Sequence, residues 1–194
     1  MTNATALAPD RARKRDAEAT RAAILAAAKK HFAKSGYDRR FLRDIAADAG
    51  ADAALINRYF GGKDGLFAAA LKDSIAPDAI SHWDRGAFAL EMAKMMAGHA
   101  HQHVERTHAF EFLLQAATNP TTAPLLNQAV QERFMGPIRE WIGGADVEAR
   151  ARIFASVFIG LLVERLIRDE PLAGREREVF IERTAALLQS LVDH

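Results

Sequence analysis

From Asp16 to the end of the chain, apolar residues recur three and four positions apart. No stretch sustains the alternate-residue pattern with β-branched side chains that a strand needs. A chain patterned this way buries its apolar stripes by packing helix on helix, so the expected fold class is all-α. Ile24, Ala28 and Phe32, with Leu25 beside them, mark a first helix over residues 17–34, with Asp16 as its N-cap and Gly36 as its stop. Residues 1–15 are small and polar, with Pro9 and the basic residues Arg11, Arg13, Lys14 and Arg15, and read as a disordered basic arm.

The segment from Leu42 to Phe60 carries the most specific demand. Leu42, Ile45, Ala46 and Ala49 share one face of a short helix, Gly50 breaks it, and Asp52 caps a second helix over Ala53 to Phe60. Ala46 is small where two helices cross closely, and Gly50 supplies the positive φ of a tight turn. Ile45, Ala49 and Ile56 point inward, which leaves Asp52 through Tyr59 facing out. That is a helix-turn-helix whose second helix presents its N-terminal end to a major groove. Gly61-Gly62 ends it, and Lys63 opens a fourth helix with Leu66, Phe67, Ala70 and Leu71. Residues 16–73 therefore read as a three-to-four-helix DNA-binding domain, and 74–194 as a second, helical domain. Its helices are expected near 86–104, 107–118, 122–142, 146–169 and 175–192, separated by proline and glycine.

Charge agrees with that division. Residues 1–63 hold 13 Lys/Arg and 7 Asp/Glu, whereas residues 64–194 hold 13 and 18. A basic first third on an acidic remainder suits a local polyanion-binding part. The chain has no cysteine, which removes disulfides and thiolate chemistry and is compatible with a cytoplasmic location. The longest nearly apolar run, Ile153 to Val163, is too short to span a bilayer, and Met1 to Asp10 lack a signal-peptide core. No membrane association is expected.

Four stretches resemble the tetracycline-repressor (TetR) family of bacterial regulators: Thr20 to Leu25, Phe32 to Tyr37, Arg43 to Gly50 and Asn57 to Phe67. They stand in the order and spacing that family uses. Ile159 to Arg165 and Glu170 to Ala173 resemble one branch of it. The resemblance implies that Asp52, Ala53, Ala54, Asn57 and Arg58 lie on the reading helix. Tyr59 and Lys63 would then contact phosphates, and Arg21, Arg39, Arg40 and Arg43 the flanking backbone. Ala53 and Ala54 would pack on thymine methyls, while Asn57 either bonds to adenine or faces water. The family usually carries Thr or Ser just before its second helix, where this chain has Arg40-Phe41, and Tyr or His at position 57. The implied function is a sequence-specific transcriptional regulator, a homodimeric repressor of palindromic double-stranded DNA, released by a small-molecule effector.

In the second domain, Phe88, Met92, Met95, Met96, Phe110, Phe112, Leu113, Leu114 and Trp141 read as walls of a pocket for an apolar or aromatic effector, or as plain helical core. The resemblance makes the last two helices a dimer interface, with Phe154, Val157, Phe158, Leu161, Leu162, Phe180, Leu187, Leu188 and Leu191; an intramolecular core is the alternative. His99 and His103 are four apart and His101 and His108 share another face, but solvent-facing or capping roles suit them better than metal binding, so no metal and no cofactor are expected. A single Glu-x-x-His, Glu105 to His108, is half of what a di-iron bundle needs, and no phosphate loop or nucleophile elbow is present. No catalysis is expected.

Overall fold

The computed structural model describes residues 8–37, 42–75, 83–98, 104–168 and 170–193. Among them every regular element is helical: α1 (Ala8–Ser35), α2 (Leu42–Asp48), α3 (Ala54–Phe60), α4 (Lys63–Ser74), α5 (Phe88–Ala97), α6 (Val104–Thr118), α7 (Ala123–Val130), a π turn (Gln131–Met135), α8 (Gly136–Ile142), α9 (Val147–Ile167) and α10 (Gly174–Val192). The expected all-α class is observed. Residues 39 and 40, and the histidines at 99, 101 and 103, lie outside the described residues.

Helix α1 starts earlier than its periodicity suggests. Its backbone is helical from Ala8, so Asp16 is an interior residue whose carbonyl accepts from Thr20 Oγ1 at 2.8 Å, not an N-cap. Pro9 is tolerated because a first-turn residue has no intrahelical use for its N–H, and the alanines and arginines that follow are strong helix formers. The stop is where expected, with Gly36 at φ +64° and its amide on the Phe32 carbonyl at 2.9 Å.

The chain divides into two units, and the first is not continuous in sequence: residues 109–126 group with residues 1–74. The core of this N-terminal unit is built on α1 and α4. Ile24, Ala28 and Phe32 face Leu66, Phe67, Ala70 and Leu71, all buried. Phe112 completes it, with its ring centroid 5.3 Å from Phe67 and 6.3 Å from Phe32. Each such ring, buried, stabilises by roughly 1.5–3 kcal/mol. The C-terminal half of α6 thus packs with the helix-turn-helix unit, its Phe112 ring lying against those of α1 and α4.

In the C-terminal unit α5 packs along α10, and Phe88, Met92, Met96, Ile138, Ile142, Phe154, Leu188 and Val192 form the core. The C-terminal ends of these helices are held by arginines. Arg85 donates to the carbonyls of Trp141, Ile142 and Val192, and Arg150 to those of Gly143, Ala145, Leu191, Val192 and Asp193. At the other end, Arg168 donates to Met96 O at 2.7 Å and Arg165 to Gly98 O at 3.3 Å. Guanidinium forks here satisfy the carbonyls that a helix terminus leaves without partners. They also explain why α5 stops at Ala97, short of the expected residue 104, with Gly98 extended.

The expected helix over 122–142 is interrupted by the π turn, in which Gly136 N donates to Gln131 O. Pro137 is the cause. It has no N–H for the Arg133 carbonyl, and its ring crowds that carbonyl, so the preceding turn widens.

The nine pocket candidates fall in different units: Phe110, Phe112, Leu113 and Leu114 in the first, and Phe88, Met92, Met95, Met96 and Trp141 in the second. Phe88, Met92, Met96 and Phe112 are buried core residues. Of the dimer candidates, Phe154 and Leu188 are 0% exposed and Leu191 9%, so they serve the unit's own core and not an outer face. Val157, Phe158, Leu161, Leu162 and Phe180 are half-buried and Leu187 is exposed. The apolar residues left outward on the same two helices include Ile153, Ile159, Ile167 and Val179, none of them in the expected set.

Candidate nucleic-acid interface

The turn between α2 and α3 is shaped by its smallest residues. Gly50 adopts φ +62° and its amide reaches Ala47 O at 3.0 Å, while Ala51 N reaches back to Ala46 O at 2.9 Å. Asp52 Oδ1 accepts the Ala54 amide at 2.7 Å, which caps α3 as its position in the sequence predicts. Ile45, Ala46 and Ile56 are buried at 0%, 2% and 1% exposure and fix α3 against α2. The outward face of α3 then carries Ala54, Asn57 and Arg58, all exposed, with exposed Asp52 just before the helix and Ala53 and Tyr59 half-buried beside them.

Basic side chains flank this face. Arg58 lies over the Tyr59 ring at 5.9 Å from its centroid, and Arg21 of α1 over Phe60 at 4.9 Å. Arg43 is exposed on α2. Lys63 folds across Tyr37, its Nζ 3.2 Å from the ring centroid and 3.2 Å from the Tyr37 carbonyl. Tyr37 in turn donates from its hydroxyl to Asp64 and sets its ring edge-on to Phe67 at 4.9 Å. The start of α4 is therefore pinned to the end of α1, and the aromatic ring holds the Lys63 ammonium by a cation–π contact.

Sequence reasoning placed Asp52, Ala53, Ala54, Asn57, Arg58 and Tyr59 on one short helix; Ala54, Asn57, Arg58 and Tyr59 lie on α3, and Asp52 and Ala53 directly precede it. It missed Tyr37 and Asp64 as supports for Lys63, because a tyrosine just after a helix stop carries no signal of what its ring will meet. It also missed Gly65. A Cβ at Gly65 would stand 1.7 Å from the Phe60 carbonyl oxygen, so only glycine lets α4 start so close to the end of α3.

These features define the class: an all-helical protein with an N-terminal helix-turn-helix unit and a second helical unit. Residues 24–70 match the profile of bacterial regulatory proteins of the tetR family, and residues 80–192 match that of the tetracyclin repressor-like C-terminal domain. The chain belongs to the TetR family of transcriptional regulators, and it is a DNA-binding regulator, not an enzyme. Among solved structures it is similar to a Rhodococcus sp. protein assigned to this family, with 16% identity, a TM-score of 0.65, and coverage of 91% of this chain and 100% of that one. It is also similar to the multidrug binding protein EbrR complexed with ethidium (20% identity, TM-score 0.62, 90% and 99% covered). The fatty acid degradation regulator FadR from Bacillus halodurans is a third (15%, 0.60, 86% and 96%). At these identities the structures establish the shared fold. No curated protein sequence matches the chain. No described helix is long and apolar enough to cross a membrane.

Proposed function

We propose that the protein is a homodimeric repressor that binds a palindromic operator and leaves it when a small-molecule effector binds the C-terminal unit. The observation that carries this reading is the face of α3. Three exposed residues, Ala54, Asn57 and Arg58, stand on a helix that exposed Asp52 precedes and whose other side is locked by Ile45, Ala46 and Ile56. A reading helix needs both the free edge and the rigid mount. Ala53 and Ala54 suit thymine methyls, and Asn57 suits adenine. The Asp52 carboxylate accepts the Ala54 amide and so orients the start of the helix.

The dimer is supported by Ile153, Ile159 and Ile167 on α9 and Val179 and Leu187 on α10, which are 37–76% exposed in the single chain. Apolar surface of this kind on two adjacent helices is what a partner subunit covers. A single reading helix also makes few base contacts, and a two-fold pair reads two successive turns. EbrR, with its bound ethidium, supports a small-molecule effector for this chain as well.

Selection from a random duplex library with the purified protein tests the reading. Enrichment of a two-fold palindrome with half-site centres roughly one helical turn apart is expected. Recovery of no sequence above a non-binding control sinks it. A second expectation concerns Lys63. Lys63→Ala should weaken binding to every duplex alike and make the slope of log affinity against log salt shallower by about one. A loss restricted to one operator base would contradict the phosphate role.

A further inference from the structure

Among the described residues, the buried or half-buried arginines of the C-terminal unit follow one rule with one exception. Arg139, Arg150, Arg165 and Arg168 are buried or half-buried, and each donates to carbonyl or carboxylate oxygens of its own unit. Arg133 is also half-buried, but its Nε is fully enclosed with no acceptor, and no hydrogen bond or ion pair to Arg133 exists among the described residues. Taking a guanidinium N–H from water without a partner is costly, so an acceptor is missing.

The placement of Arg133 is specific. It sits in the π turn that Pro137 forces, and wide turns of this sort recur at functional sites because they re-aim side chains. The nearby polar groups are already engaged. Glu132 accepts from Gln128 at 2.9 Å, and Arg139 is shared between Glu148 and Gln131. The next residue, Phe134, is stacked on Phe158 at 5.9 Å and tilted on Phe154 at 6.4 Å.

We infer that Arg133 is the anchor of a small-molecule site whose ligand is an organic monoanion, a carboxylate carried on an apolar or aromatic body. A single unspent guanidinium matches one negative charge, and a carboxylate fits its planar fork in a way a neutral group does not. This rests on the effector reading above and changes its chemistry: the effector is an apolar acid, not a wholly apolar molecule.

Calorimetric titration of the full chain with benzoate and with benzamide, at fixed chloride, tests it. Wild type is expected to bind benzoate about tenfold more tightly than benzamide, and Arg133→Met to bring the two within about twofold. Without ligand, Arg133→Met should melt no lower than wild type, because the guanidinium has no partner to lose. The site is overturned if wild type shows no preference for benzoate or Arg133→Met keeps one. It is equally overturned if the ligand-free variant melts more than about 4 °C below wild type, since the guanidinium would then already be paired. Operator release separates the two readings. Benzoate bound through Arg133 without release keeps the anion site and removes the effector role. Release by benzoate and benzamide alike, indifferent to Arg133, does the reverse.

Discussion

Gly65→Ala is expected to destabilise the N-terminal unit by about 3 kcal/mol, at the upper end of ordinary overpacking, and to abolish operator binding well below the wild-type melting temperature. The new Cβ would lie 1.7 Å from Phe60 O and 2.9 Å from Phe60 C, and both are backbone atoms with no rotamer to turn aside. Relief requires α4 to draw away from α3. That movement carries Leu66 and Phe67, which follow Gly65 directly and are buried at 0% and 1% exposure, out of the core. It also carries Lys63 and Asp64 away from Tyr37. A fall in melting temperature of about 12–24 °C is the expected size for a unit of this length. A variant that melts with wild type and binds DNA normally would show that the α3–α4 junction is looser than described.

Phe112→Ala is expected to cost about 3–5 kcal/mol, the usual toll of emptying a packed aromatic site. Its consequence should surface far away in sequence. Phe112 stands on α6, yet its ring is 2% exposed and packs on Phe32 and Phe67 of the N-terminal unit. Hydrogen exchange should therefore show lost protection in α1 and α4. Loss confined to α5 and α10, with α1 and α4 unchanged, would refute the assignment of residues 109–126 to the helix-turn-helix unit. The alanine leaves a cavity lined by two phenylalanines that cannot collapse without shifting α1 against α4, so little relaxation is expected.

Local signals in the chain were read well because their physics acts within a turn or two. Gly50 and Gly36 adopt the positive φ that their positions demand, and Asp52 caps α3 through the amide two residues on. Ala54, Asn57 and Arg58 needed only the helical period to be placed on one element. Tyr37 and Asp64 were out of reach for the opposite reason: the contact that joins them spans 27 positions and depends on how α1 meets α4. The pocket candidates fall in both units because methionine and phenylalanine stripes report burial and carry nothing about which neighbour buries them.

The sequence alone determined the all-helical class, the helix-turn-helix and the face it presents, since propensity, capping and periodicity are properties of adjacent residues. The tertiary structure decided which sides of the two most apolar helices turn inward. Phe154 and Leu188 go into the unit's own core while Ile159 and Leu187 stay outside, a choice set by α5 and α8 as partners and not by the helices themselves. It also decided that Phe112 would complete a core begun 80 positions earlier at Phe32, and that Arg85 would cap a helix ending 107 positions away at Val192. In both cases the energy lies in the contact between surfaces, which exists only once the chain has brought them together.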